Sequence, residues 1–169
     1  MPTELPQLGV EELLAEIEAT FGAVRLGDGT SLHQADALDD YSPPEVVAAA
    51  RSLDTEERWQ GIPDEKVDQF DHTLPFMDAE GFRFHIPRFM VSAITRAGVE
   101  CGTLGGDATV YAFHFSDQLE GYAVSKYALL SPEQRRTIAR FLRFAASHDE
   151  WFDARVAGEA LERYWGQYG

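Results

Sequence analysis

Hydrophobic positions along the chain fall first into a helical pattern. Leu13, Leu14, Ile17 and Phe21 recur at helical spacing, with Glu11, Glu12, Glu16 and Glu18 on the other face, which predicts an amphipathic helix over residues 10–21 stopped at Gly22. The stretch from Val24 to Leu32 holds Gly27-Asp28-Gly29 between two short apolar pieces and reads as a small hairpin or an irregular loop. Residues 32–54 predict two helical pieces broken at Ser42, where Ser42-Pro43-Pro44-Glu45 has the form of a capping box with proline at the first helical position. Short helical turns follow around residues 54–59 and 62–70.

The segment Leu74–Met90 carries the densest punctuation. Asp78-Ala79-Glu80-Gly81 is turn-like, Phe82, Phe84 and Ile86 alternate with Arg83 and His85 in the period of a half-buried strand, and Pro87 is suited to open a helix running to about Ala97. Residues 101–128 combine glycines with aromatics and fit helix or strand equally, including a strand paired with 82–86. Ser131-Pro132-Glu133-Gln134, preceded by Leu130, predicts a second capping box. Its helix carries Ile138, Phe141, Leu142 and Ala145 on one face, and a last helix over about 150–164 ends in an aromatic tail with Trp165 and Tyr168. The expected fold is α+β and mostly helical, one domain over residues 1–169, with short helices and one small antiparallel sheet.

Charge narrows the function classes. Asp and Glu number 29 against 14 Lys and Arg, a formal net charge of −15, which repels a phosphate backbone and argues against a nucleic-acid reader. A hydrophobic fraction of 44% provides enough apolar surface for a packed core at this length. Cys101 is the one cysteine, which suits a reducing compartment, and the acidic N-terminal stretch has no basic leader before an apolar run. No apolar run approaches the length of a membrane span. These features point to a cytoplasmic protein with no membrane contact.

A resemblance accompanies this pattern. The segment Asp78-x-Glu80-Gly81-Phe82-Arg83-Phe84-x-x-Pro87-x-Phe89-Met90, the later Leu130-Ser131-Pro132-Glu133-Gln134 helix start, Phe141-Leu142 and the upstream Asp39-Asp40-Tyr41 and Ala50-Arg51 resemble an uncharacterised bacterial domain family of unknown function. Arg88 stands where that family more often has alanine. The resemblance implies a shared fold and supplies no activity or catalytic residues.

Two function classes follow. The preferred one is a non-catalytic acidic binding module, an inhibitor or immunity-type protein for a basic protein partner, with Asp39, Asp40, Asp78, Glu80, Arg83 and Trp165 as candidate binding residues and a homodimer as a further arrangement. The alternative is a small metal-dependent or acid–base hydrolase using Asp78, Glu80 and His85, with His114 as an additional group. An ion pair from Asp78 or Glu80 to Arg83, closing a turn, explains the same residues without catalysis. The five histidines lack metal-ligand spacing, and the Gly102–Gly106 stretch lacks the residues of a phosphate loop, so neither a metal nor a cofactor is expected.

Overall fold

In the computed structural model, which describes residues 7–98 and 104–169, helices surround a central one, α5 (Ala79–Thr95). Preceding it are α1 (Gln7–Phe21), α2 (Leu32–Asp39), α3 (Pro44–Ala50) and α4 (Asp64–Gln69); following it are α6 (Leu104–Tyr111), α7 (Glu120–Lys126), α8 (Pro132–Ala146) and α9 (Ala154–Arg163). Short 3-10 turns lie at Arg51–Leu53, Trp59–Gly61, Asp71–Phe76, Asp117–Leu119 and Trp165–Tyr168. Among the described residues there is no strand and no sheet, so the fold is all-α rather than α+β.

The correction centres on residues 82–86. They are the second turn of α5, which runs straight through Pro87 instead of starting there. Phe82, Phe84, His85, Ile86, Pro87, Phe89 and Met90 are all buried, because α5 packs against α1, α4, α6 and α7. Only one narrow face of α5, with Glu80, Arg83, Arg88, Val91 and Thr95, is left partly open, so within residues 82–86 a single polar position breaks a buried run and the alternation of Phe82, Phe84 and Ile86 imitates a strand. Proline inside a helix removes one hydrogen bond and costs about 3 kcal/mol. The burial of the aromatic and aliphatic side chains around it offsets that loss. The ambiguous 101–128 region resolves as α6 and α7 where it is described, and Cys101 lies outside the described residues.

Elsewhere local signals act as read. Ser131 caps α8, with Gln134 N–H donating to Ser131 Oγ at 3.1 Å and Ser131 N–H donating to Gln134 Oε1 at 2.9 Å. A box of the same kind starts α2 at Ser31 and Gln34, whereas α3 is preceded by Pro43 with no side-chain cap, one residue beyond Ser42. The C-terminal tail is docked: Trp165 is fully buried, lies 4.7 Å from Tyr127 between ring centroids, and donates from Nε1 to the Phe113 carbonyl at 2.9 Å. No helix among the described residues is long and apolar enough to cross a membrane.

Candidate functional site

The acidic start of α5 is built against the loop between α1 and α2. Asp78 is the N-cap of α5, and its Oδ1 accepts from Gly81 N–H at 2.8 Å and from Thr30 N–H at 3.0 Å. Glu80 reaches the same loop, accepting from Asp28 N–H through Oε2 at 3.2 Å. From the opposite side Arg51 donates to the carbonyls of Gly27 at 2.5 Å and Gly29 at 2.6 Å. The chain therefore uses Asp78, Glu80 and Arg51 to satisfy a turn whose backbone groups have no secondary-structure partners.

His85 is held apart from these carboxylates. It is 2% exposed, and its Nδ1 is bonded to the Gly81 carbonyl at 2.7 Å. Burial pushes its pKa down to about 4. Arg83 does not pair with Asp78 or Glu80; its Nη1 donates to the Leu129 carbonyl at 3.4 Å, and its Nε is enclosed without a partner. His114 pairs with Glu159 on α9, Nε2 to Oε2 at 3.1 Å. Among the described residues no group of three or more His, Cys, Asp or Glu is placed to hold a metal ion.

A network without a sequence motif anchors the base of the α2–α3 hairpin. Asp54 accepts from the His33 backbone N–H at 2.8 Å, lies 2.8 Å from His33 Nδ1, and accepts from Lys66 Nζ at 3.0 Å. Burial alone would raise the Asp54 carboxyl, but hydrogen bonds from Ser31, His33 and Lys66 outweigh it and hold the pKa down to about 2. Nothing in the local pattern marks Asp54, since its partners come from residues 31–33 and from α4.

With its base tied by Arg51 and Asp54, the hairpin projects its tip outward. There Tyr41 is 95% exposed and holds a left-handed backbone at φ 55°. Asp40 caps the end of α2 beside it, and α3 beyond it has no buried residue, with Val46 exposed. Asp39 and Asp36 border the tip on the side of His72, whose Nε2 lies 2.8 Å from Asp36 and 3.9 Å from Asp39; Asp71 is 3.9 Å from its Nδ1. Of the residues singled out in the sequence, Asp39 and Asp40 thus share one outer surface, Asp78 and Glu80 bind the 28–30 loop, and Trp165 is in the core. Tyr41, with its left-handed backbone and nearly full exposure, is the tip's most unusual residue, and in the sequence it stands out only within the Asp39-Asp40-Tyr41 stretch of the family resemblance.

No curated protein and no solved structure matches the chain. A family of unknown function, DUF6714, matches residues 10–169. Spanning nearly the whole sequence, that match shows that the chain belongs to this family.

Proposed function

We propose that the protein is a non-catalytic binding module of the cytoplasm, and that the tip of the α2–α3 hairpin docks a basic protein partner in the manner of an inhibitor or immunity-type protein. The observation that carries this reading is Tyr41: an aromatic side chain 95% exposed, on a backbone of the left-handed region, directly after Asp39 and Asp40. A tyrosine in that region costs on the order of 1 kcal/mol, which glycine or asparagine would avoid. An exposed ring among carboxylates suits a lysine or arginine of a partner, which gains a cation–π contact and an ion pair together. The net charge of −15 would steer such a partner at long range. The acid–base alternative draws less support, because Asp78, Glu80 and His85 each bond to backbone groups and do not converge.

The test is capture from native lysate at low and high salt with the wild type, Tyr41→Ala and the double charge reversal Asp39→Lys, Asp40→Lys. A basic protein retained by the wild type at low salt, weakened by salt and lost with either variant, is the expected result. Retention that is indifferent to both variants would remove the tip as the docking surface. Sizing of the purified protein over a range of concentrations separates this from self-association.

A further inference from the structure

Every residue of α3 except Glu45 is apolar, yet the helix buries none of them. A helix of this length falls short of the ~12 residues that hold together in water on propensity alone. It leans on α2 and on the Arg51–Leu53 turn that continues it. Along this continuous stretch Val46, Ala49 and Leu53 stand at i, i+3 and i+7, the spacing of one helical stripe. All three are exposed, Val46 by 47% and Leu53 by 59%, whereas Val47 and Ala50 are half-buried. Leu38 adds to the same side of the hairpin: it is exposed, and its carbonyl accepts the Tyr41 N–H at 3.1 Å.

Helix propensity does not explain the stripe. Alanine favours a helix, but a β-branched valine disfavours one, and glutamate, glutamine or lysine would serve as well at exposed positions. An apolar row at helical period is the face by which one helix packs on another. Alanines at 48 and 49 let a second helix approach closely. No strand edge exists among the described residues, so an extended segment has no ladder to join.

Charge selects the kind of helix. Between Leu32 and Leu53 the hairpin carries four carboxylates, Asp36, Asp39, Asp40 and Glu45, against one arginine. That arginine, Arg51, is spent on the carbonyls of Gly27 and Gly29. A second copy of the chain would bring the same carboxylates and the same net charge of −15 against this surface, and like charges oppose such a contact.

We propose that the stripe of Val46, Ala49 and Leu53 receives an amphipathic basic helix of the partner, with its apolar face on the stripe and its lysines or arginines toward Asp39, Asp40 and Glu45. The partner's charge rests on the docking-tip reading above; its helical, amphipathic form rests on the stripe.

The experiment measures fluorescence anisotropy at about 0.15 M salt with three labelled synthetic peptides. One has leucines on one helical face and lysines on the other, the second has the same composition with the leucines scattered, and the third replaces each lysine of the first by glutamate. The wild type is expected to bind the first at least about ten-fold more tightly than either control. Val46→Ser with Leu53→Ser should erase that preference, while Leu119→Ser, at an exposed leucine outside the hairpin, should leave it intact. Far-UV circular dichroism checks that the variants keep the wild-type helix content. A preference for the first peptide that survives the double serine variant overturns the stripe, and the tip reading still stands if Asp39→Lys with Asp40→Lys releases the scattered peptide. Glutamate and lysine peptides that bind alike, or binding indifferent to that charge reversal, overturn the basic partner in both readings. A wild-type dimer on sizing that the double serine variant turns into a monomer assigns the stripe to a second copy and overturns the proposal.

Discussion

Gly29 and Gly81 meet backbone to backbone, although 52 residues separate them in the chain. A β-carbon on Gly29 would lie 2.6 Å from the Gly81 nitrogen, and one on Gly81 would lie 2.5 Å from the Thr30 carbonyl oxygen. Neither contact ends on a flexible side chain, so the clash is relieved only by moving α5 or the loop. Gly29→Ala and Gly81→Ala are each expected to lose about 1–3 kcal/mol. Urea denaturation of both variants checks this, and unchanged midpoints would mean that the loop can lift away freely.

Asp78 holds the same junction by hydrogen bonds. Asp78→Ala removes the cap of α5 and leaves Thr30 N–H without its acceptor, a loss of about 1–2 kcal/mol. Glu80→Ala gives up one exposed bond to Asp28 and should cost less than half as much. Thermal melts of the pair read the order directly.

Acid should weaken the fold in two steps. His85 has a folded pKa of about 4, below the 6.5 of the free side chain, so the unfolded chain binds a proton that the native state refuses. Its contribution is complete above pH 6.5 and is lost as pH falls to 4, a change on the order of 3 kcal/mol. Asp54, depressed from 3.8 to about 2, contributes fully above pH 3.8 and loses that contribution between there and pH 2. Stability measured against pH should lose its upper limb in His85→Gln and its lower limb in Asp54→Asn.

The tail is part of the core. Trp165→Ala should cost about 3–5 kcal/mol, since it opens a cavity among Phe113, Tyr127 and Tyr164 and leaves the Phe113 carbonyl unpaired. Removal of residues 165–169 should do no better. A truncated chain that unfolds at the wild-type urea concentration would contradict this.

Tyr41 separates stability from binding. Tyr41→Gly relieves a φ of 55° and is expected to leave the fold as stable or up to about 1 kcal/mol more stable. The same change should abolish capture of the basic partner proposed above. Loss of stability together with loss of binding would mark the ring as a structural element instead.

What could be read along the chain was whatever a few neighbouring residues decide among themselves. The α1 stripe of Leu13, Ile17 and Phe21 lies in the core as its spacing predicts, and the Ser131–Gln134 box closes with both bonds in place. Those features rest on local geometry and one buried face, so sequence spacing reports them faithfully. Central α5 looks like a strand over residues 82–86 for the complementary reason: its open face is narrow, only Arg83 of it falls within those residues, and so short a window holds too little contrast between faces to show a helical period.

The roles of single residues depended on tertiary contacts still more. Asp78 and Glu80 look like paired catalytic carboxylates until the 28–30 loop, brought in from far along the chain, places its N–H groups against them. Asp54 became a hub only when His33 and Lys66 converged on it. The two lysines, Lys66 and Lys126, were indistinguishable as letters, and folding gave the first carboxylates and the second aromatic rings. By itself the sequence determined an acidic, core-forming chain with identifiable helix starts and stops, because charge, composition and capping are local quantities. The tertiary structure alone decided that there is no sheet among the described residues, which polar groups are spent on the backbone, and which are left facing outward, because burial and partnership are set by residues far apart in sequence.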